Sequence, residues 1–224
     1  MKKIVLIIVW FAFSSAVSFA QVFSEKKYDV GTVKEAPKCF GQGVVVFTAG
    51  YGYPSWGQIF YNIWINSSGY NSVYDNYSPK GMGPLHFKGE IGLSKMIAMG
   101  LSINYESYGG KWTKTYFVQA NNRDEVFNEN LTITSLSVMP RFSFHFAATN
   151  QIDPYFGVAA GYKSTIYKFH SDYSNALDEY AKGNFPIGLE TTVGLRIYFS
   201  DSFGMYMEMG LAKSLVQGGI AIKL

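Results

Sequence analysis

The chain has 224 residues, of which 19 are Lys or Arg and 16 are Asp or Glu, with 48% hydrophobic and 17% aromatic side chains. That length suits a single β domain and is cramped for two full domains. Charged residues make up only 16%, against roughly 25% in an average soluble domain. The 18 Phe, 17 Tyr and 4 Trp exclude a disordered chain, and a lone cysteine, Cys39, excludes a disulfide scaffold.

Lys2 and Lys3 precede an apolar run from Ile4 to Phe13 and the small-residue site Ser18-Phe19-Ala20. Charge, apolar stretch and small residues in that order make residues 1–20 a secretory signal. A membrane-spanning helix would need about 20 apolar residues, and Ser14, Ser15 and Ser18 interrupt this one early. Cleavage after Ala20 removes two lysines and no acid, leaving 17 basic residues against 16 acidic ones. A net charge near +1 lacks the basic excess that a nucleic-acid partner demands. Residues 21–41 form a charged lead-in, read as a mobile periplasmic segment. Cys39 lies too far past the cleavage site to carry a lipid and reads as a free thiol.

Beyond the lead-in no stretch keeps helical period for more than a few residues, while apolar and polar or small residues alternate. Strand one, about 43–53, sets Phe47, Ala49, Tyr51 and Tyr53 against Thr48, Gly50 and Gly52. A hairpin follows. Leu85, Phe87, Ile91 and Leu93 alternate with His86, Lys88, Glu90 and Ser94; past a turn near Lys95, Ile97 to Tyr105 alternate with Ala98 to Glu106. Further strands run over about 131–146, 154–163, 185–199, 204–212 and 214–224. Pro140 interrupts the fourth, where a closed sheet has no place for a residue without an N–H, and predicts a bulge or a register change.

Successive side chains of a strand point to opposite faces, so the distribution of charge between the faces decides the class. The apolar faces carry no Asp, Glu, Lys or Arg. The opposite faces carry Lys88, Glu90, Glu106, Arg141, Lys163, Glu190, Arg196, Glu208 and Lys223 among Gly, Ser, Ala, Thr and Asn. A soluble barrel needs a densely charged exterior, whereas this polar face suits a narrow lumen in which glycines make room for ion pairs. The apolar face then points to lipid. In lipid an open sheet edge would leave backbone groups unpaired at several kcal/mol each, so the sheet must close. The predicted fold is therefore all-β: a closed antiparallel eight-stranded transmembrane β-barrel over residues 42–224. Long connections at 54–83, 107–130 and 164–184 fall on the extracellular side and short turns on the periplasmic side.

Two stretches carry a family resemblance. Asp153-Pro154-Tyr155-Phe156-Gly157-Val158-Ala159-Ala160-Gly161-Tyr162 is similar to the Pro-Tyr-x-Gly-x-Gly-x-Gly-Tyr strand, and Val193-Gly194-Leu195-Arg196-Ile197-Tyr198-Phe199 to the Gly-x-Arg-Tyr-x-Phe strand, of the small eight-stranded outer-membrane barrels of OmpA/OmpX type, the "porin family" of Gram-negative bacteria. Gln217, Gly219, Ile222 and Leu224 resemble the terminal signal read by the barrel assembly machinery, departing from it by ending in Leu rather than Phe. The resemblance implies a cell outer-membrane protein with lipid and that machinery as partners. It implies no one activity, since fold does not carry function.

Small barrels of this kind include lipid A acyltransferases and deacylases, so His86, His145 and His170 are the candidates for catalysis. His86 and His145 read as polar lumen residues near opposite ends, and His170 as a loop residue beside Ser171 and Asp172. Members of a triad meet by folding rather than by adjacency, and no catalytic residue is assigned. No Cys/His spacing suggests zinc and no glycine-rich phosphate loop precedes a helix, so no cofactor or metal is assigned. Glu90, Glu208, Arg141 and Arg196 are expected to pair across the axis as a polar core, with gating as the alternative. Trp56, Phe60, Tyr61, Trp64, Tyr70, Tyr74 and Tyr77, then Trp112, Tyr116 and Phe117, are expected as membrane-boundary anchors; the alternative is a binding surface. The reading is a non-enzymatic outer-membrane barrel with an envelope-structural role or an extracellular protein or glycan ligand at its loops. A lipid A-modifying enzyme and a narrow gated conduit are the alternatives.

Overall fold

The structure, a computed structural model, describes residues 38–67, 75–173 and 179–224. The signal segment and residues 21–37 of the lead-in lie outside the described residues. Strands β1 (Val45–Ser55), β2 (Asp75–Gly92), β3 (Ile97–Val118), β4 (Arg123–His145), β5 (Ile152–Ser171), β6 (Glu179–Lys182), β7 (Ile187–Tyr198), β8 (Phe203–Leu211) and β9 (Ser214–Lys223) surround one helix, α1 (Trp56–Ser67).

Eight of the strands close a ring in the order β4-β3-β2-β1-β9-β8-β7-β5, with β4 pairing back onto β5, and the short β6 adds to β5 outside it. Every pairing is antiparallel, and the ring is sealed by β1 against β9, with Val46 opposite Lys223. The turns at 93–96, 146–151 and 199–202 lie at the end where β1 begins and β9 stops, the terminal end. Helix α1 and the turns at 119–122 and 212–213 lie at the far end.

The faces are distributed as the alternation predicts. Lys88, Glu90, Glu106, Arg141, Glu190, Arg196 and Glu208 are all at most 6% exposed, while Phe47, Phe87, Leu101, Phe142, Met207 and Ile220 on the opposite faces are 42–58% exposed. A protein that buries its charges and shows its hydrocarbon is arranged for a solvent of hydrocarbon. The chain is an inside-out, membrane-spanning barrel.

Three expectations need correction. The segments expected as long loops are largely strand, because β3 and β4 pair without interruption from Ile97↔Phe144 to Val118↔Arg123 and close in a four-residue turn. Strands β2 to β5 have 18, 22, 23 and 20 residues, against 11, 12, 9 and 10 for β1, β7, β8 and β9. Since roughly 9–11 tilted residues cross a bilayer, half of the wall rises well beyond the hydrocarbon and the other half stops near it. Pro140 causes neither a bulge nor a slip. It faces outward, and pairing with β5 is interrupted between Val138↔Tyr162 and Arg141↔Ala159 with the same register on both sides.

The third correction is α1. Ser55 Oγ accepts the Gln58 N–H at 3.2 Å and caps the helix, the Ser-x-x-Gln pattern of a helix start. Tyr61 and Ile65, one turn apart, pack with Ile133, Tyr77, Tyr108 and Leu131 on the inner side of the tall wall. Trp56 N donates to the Lys213 carbonyl at 2.9 Å, and the Gln58 amide exchanges two 3.3 Å bonds with the Gly109 backbone. These ties hold α1 across the far mouth of the barrel.

At the terminal end the last residues of the lead-in are docked. Cys39 donates its N–H to Thr149 at 2.8 Å and packs on Tyr198 and Ala221, while the Phe40 ring stacks on His145 with centroids 3.4 Å apart. Burial, reinforced by the Asp153 charge, pushes the Cys39 thiol up to about 11. The thiolate is the reactive form. The folded protein should therefore resist iodoacetamide at pH 8 and the urea-unfolded chain should be labelled; equal rates would show that Cys39 and Phe40 do not dock.

Candidate functional site

The lumen has too little width for water to solvate charges, so each ion must find partners from other strands. Arg141 on β4 lies at the centre. Its guanidinium pairs with Glu190 on β7 and with Glu208 on β8, the latter at 3.1 Å, and donates to Thr192 at 3.0 Å. Lys88 on β2 binds the same two carboxylates from the opposite wall, reaching Glu190 at 3.0 Å. Tyr155 OH and Gln217 Nε2 donate to Glu208 at 2.7 and 2.6 Å; Ser102 and Asn104 donate to Glu190 at 3.1 and 3.0 Å. Two cations and two anions thus bridge four strands, β2, β4, β7 and β8.

A second layer lies toward the terminal end. Arg196 on β7 pairs with Glu90 at 2.7 Å and Asp153 at 3.1 Å, and its guanidinium covers the Tyr155 ring at 4.2 Å. His145 fits between the same two carboxylates, 2.7 Å from Asp153 and 3.3 Å from Glu90. Ser143 joins the layers, donating to Glu90 at 3.0 Å and accepting from Arg141 Nε at 3.3 Å. Toward the far end Lys213 binds Glu106 at 3.0 Å and Ser135 at 2.5 Å, and Ser55 donates to Glu106 at 2.9 Å.

Glycines make this crowding feasible. A Cβ on Gly157 would lie 2.1 Å from Arg141 Nη2, and one on Gly194 would lie 2.4 Å from the Tyr155 ring and 2.7 Å from Glu208 Cγ. The small residues that break the hydrophobic pattern of β5 and β7 are the space that the guanidinium and the phenol occupy.

All four residues expected in the network are in it, split between the two layers: Arg141 with Glu208, and Arg196 with Glu90. Sequence reasoning placed Lys88, Glu190 and Gln217 on the lumen face without pairing them, and it missed Asp153 and Lys213. Asp153 precedes Pro154 at the start of β5, where it reads as part of a turn motif. Its one signal is its even spacing from Tyr155 and Gly157 on the inward face.

The histidines do not come together. His86 bonds Asn104 at 2.8 Å and Ser214 at 3.1 Å, His145 lies under Phe40 in the layer near the terminal end, and His170 is exposed 3.3 Å from Asp172. His145 contacts two carboxylates, and both also bind Arg196. Among the described residues no group of three or more His, Cys, Asp or Glu is placed to hold a metal ion.

The aromatics divide. Phe60, Trp64 and Phe117 are more than half exposed, whereas Tyr61 and Trp112 are buried. Trp112 Nε1 and Tyr116 OH both donate to Glu129, at 2.8 and 2.6 Å, and Tyr116 stacks on Tyr173 with centroids 4.9 Å apart. Tyr61, Trp112 and Tyr116 therefore hold the tall wall and helix together instead of anchoring a boundary; Tyr70 and Tyr74 lie outside the described residues. Beside α1 a cavity of about 370 Å³ extends from Glu190 and Lys213 in the lumen to Leu189 on the outer face.

No family model and no curated protein matches the chain. Among solved structures it is similar to the N-terminal β-barrel domain of OprF from Pseudomonas aeruginosa, with 13% identity and a TM-score of 0.37 over 83% of this chain and 100% of that one. It is similar also to Ail, the attachment invasion locus protein of Yersinia pestis, at 12% identity and a TM-score of 0.37 over 82% of this chain and 99% of Ail, including Ail crystallised with the heparin analogue sucrose octasulfate. The eight-strand ring itself stands on the strand pairing described above.

Proposed function

We propose that the chain is an integral outer-membrane protein without enzymatic activity, exported by its N-terminal signal, whose role is to present the tall half of its wall to a protein or glycan outside the cell. The observation that carries this reading is the inversion of burial. Charged side chains lie within the lumen at 6% exposure or less while the outer face is apolar, which is stable only when lipid surrounds the barrel. The paired lumen charges act as a structural core, because partners from other strands hold them.

A closed core does not conduct. Refolded into a planar bilayer, the protein should give no steady channels; a steady current altered by Glu208→Ala would instead assign the network to a gate.

A further inference from the structure

The far-end cavity of about 370 Å³ has three properties that point to a ligand. Its volume lies within the range of small-molecule sites, roughly 300–1,000 Å³. Second, it touches both faces of one strand: Gly188 and Glu190 face the lumen, and Ile187 and Leu189 face outward, Leu189 at 72% exposure. A cavity lined from both sides of β7 cannot be confined to the lumen, and the sheet shows why. Pairing of β7 with β8 stops at Thr191↔Leu211 whereas pairing with β5 continues to Tyr162↔Ile187, so residues 187–190 have a β-partner on one side only. The wall is notched there, beside α1.

Third, the cavity holds a cation that the protein leaves over. Glu190 is taken by Arg141 and Lys88, and Glu106 by Lys213. Lys163 lines the same space, and among the described residues no hydrogen bond or ion pair engages its Nζ. Trp56 lines it too, and its Nε1–H is buried without a hydrogen-bond partner. An unpaired cation and an unpaired donor in a partly closed site favour an anion.

We propose that this notch binds a single-chain amphiphile, taken from the bilayer sideways, with its acyl chain along Ile187, Leu189 and the outer side of α1 and its anionic headgroup, a carboxylate or a phosphate, on Lys163. The proposal rests on the reading that lipid surrounds the barrel. It assigns the site a ligand and no reaction.

Trp56 and Trp64 both line the cavity, so a terminally brominated fatty acid should quench their fluorescence on contact. The protein is first incorporated into zwitterionic nanodiscs; failure to insert at that stage counts against the membrane reading alone. With 11-bromoundecanoate, quenching should saturate, and the saturable part should vanish in the Trp56→Phe, Trp64→Phe double variant. Lys163→Glu should raise the half-saturating concentration about tenfold or more; Lys163→Met, which keeps the chain length, should do the same if the Glu variant fails to fold. Lys111→Glu, on the exposed far end of β3, should leave it unchanged. Displacement by dodecanoate identifies a carboxylate headgroup, and displacement by dodecyl phosphate alone identifies a phosphate. The proposal is overturned if quenching rises linearly and equally in all variants, if neither competitor displaces the probe, or if the methyl ester of the probe binds as tightly as the acid.

Discussion

Replacing Arg141 by Ala should lower the unfolding free energy by about 3–5 kcal/mol, the range found when one partner of a buried ion pair is removed. The guanidinium holds Glu190, Glu208 and Thr192 together at 1% exposure. Without it two carboxylates share Lys88 in a space closed to bulk water, and a void opens above Gly157. Urea titration in lipid vesicles, followed by tryptophan fluorescence, measures the loss. The comparison variant is Arg123→Ala, whose pair with Glu125 at 2.8 Å lies on the exposed far hairpin, where solvent and salt screen it, and should have a much smaller effect. Equal effects from the two variants would mean that the lumen is wet enough to solvate its own charges.

The neighbouring residue gives the second large effect by the opposite physics. Phe142 is 53% exposed on the outer face, one step along β4 from Arg141, with Met99 and Val158 beside it. Phe142→Arg places a charge against hydrocarbon and should destabilise the barrel by about 2–4 kcal/mol if the site lies near the bilayer midplane, falling toward zero near an interface. In a barrel standing in water the same change would be neutral or favourable. The sign of this one variant, read in the same urea titration, distinguishes lipid from solvent as the medium at that face.

How much of this was legible depended on whether the bilayer imposed a pattern. Between Ile97 and Tyr105 one face must be apolar and the other polar, so the sequence alternates and the strand is readable. Beyond it the same strand continues through Lys111 and Lys114 to Val118, paired with Arg123, Asp124 and Glu125. No bilayer faces either side there, nothing demands strict alternation, and polar residues on both sides resemble a loop. The strand persists because backbone pairing and contacts such as Trp112 with Glu129 need no apolar face. Helix α1 was missed for a related reason. Its residues Trp56 to Ser67 are aromatic and amide-rich all round, and its clearest marker is the capping pair Ser55 and Gln58 rather than periodicity. In the lumen, face membership of the charges followed from parity alone, whereas the partnership of Lys88 with Glu190 and Glu208 needed the ring to close and bring β2 opposite β7 and β8.

The junction of β1 with β9 joins the first and last strands of the ring, Val46 meeting Lys223 and Ser55 meeting Ser214. During folding every other neighbour pair can zip up hairpin by hairpin, but this seam must wait for β9. Until then two raw edges, on β1 and on the newest strand, present unpaired N–H and C=O groups that lipid cannot satisfy. Insertion of a half-made sheet is thereby disfavoured, and the step that commits the polypeptide to the membrane coincides with the arrival of β9 beside β1.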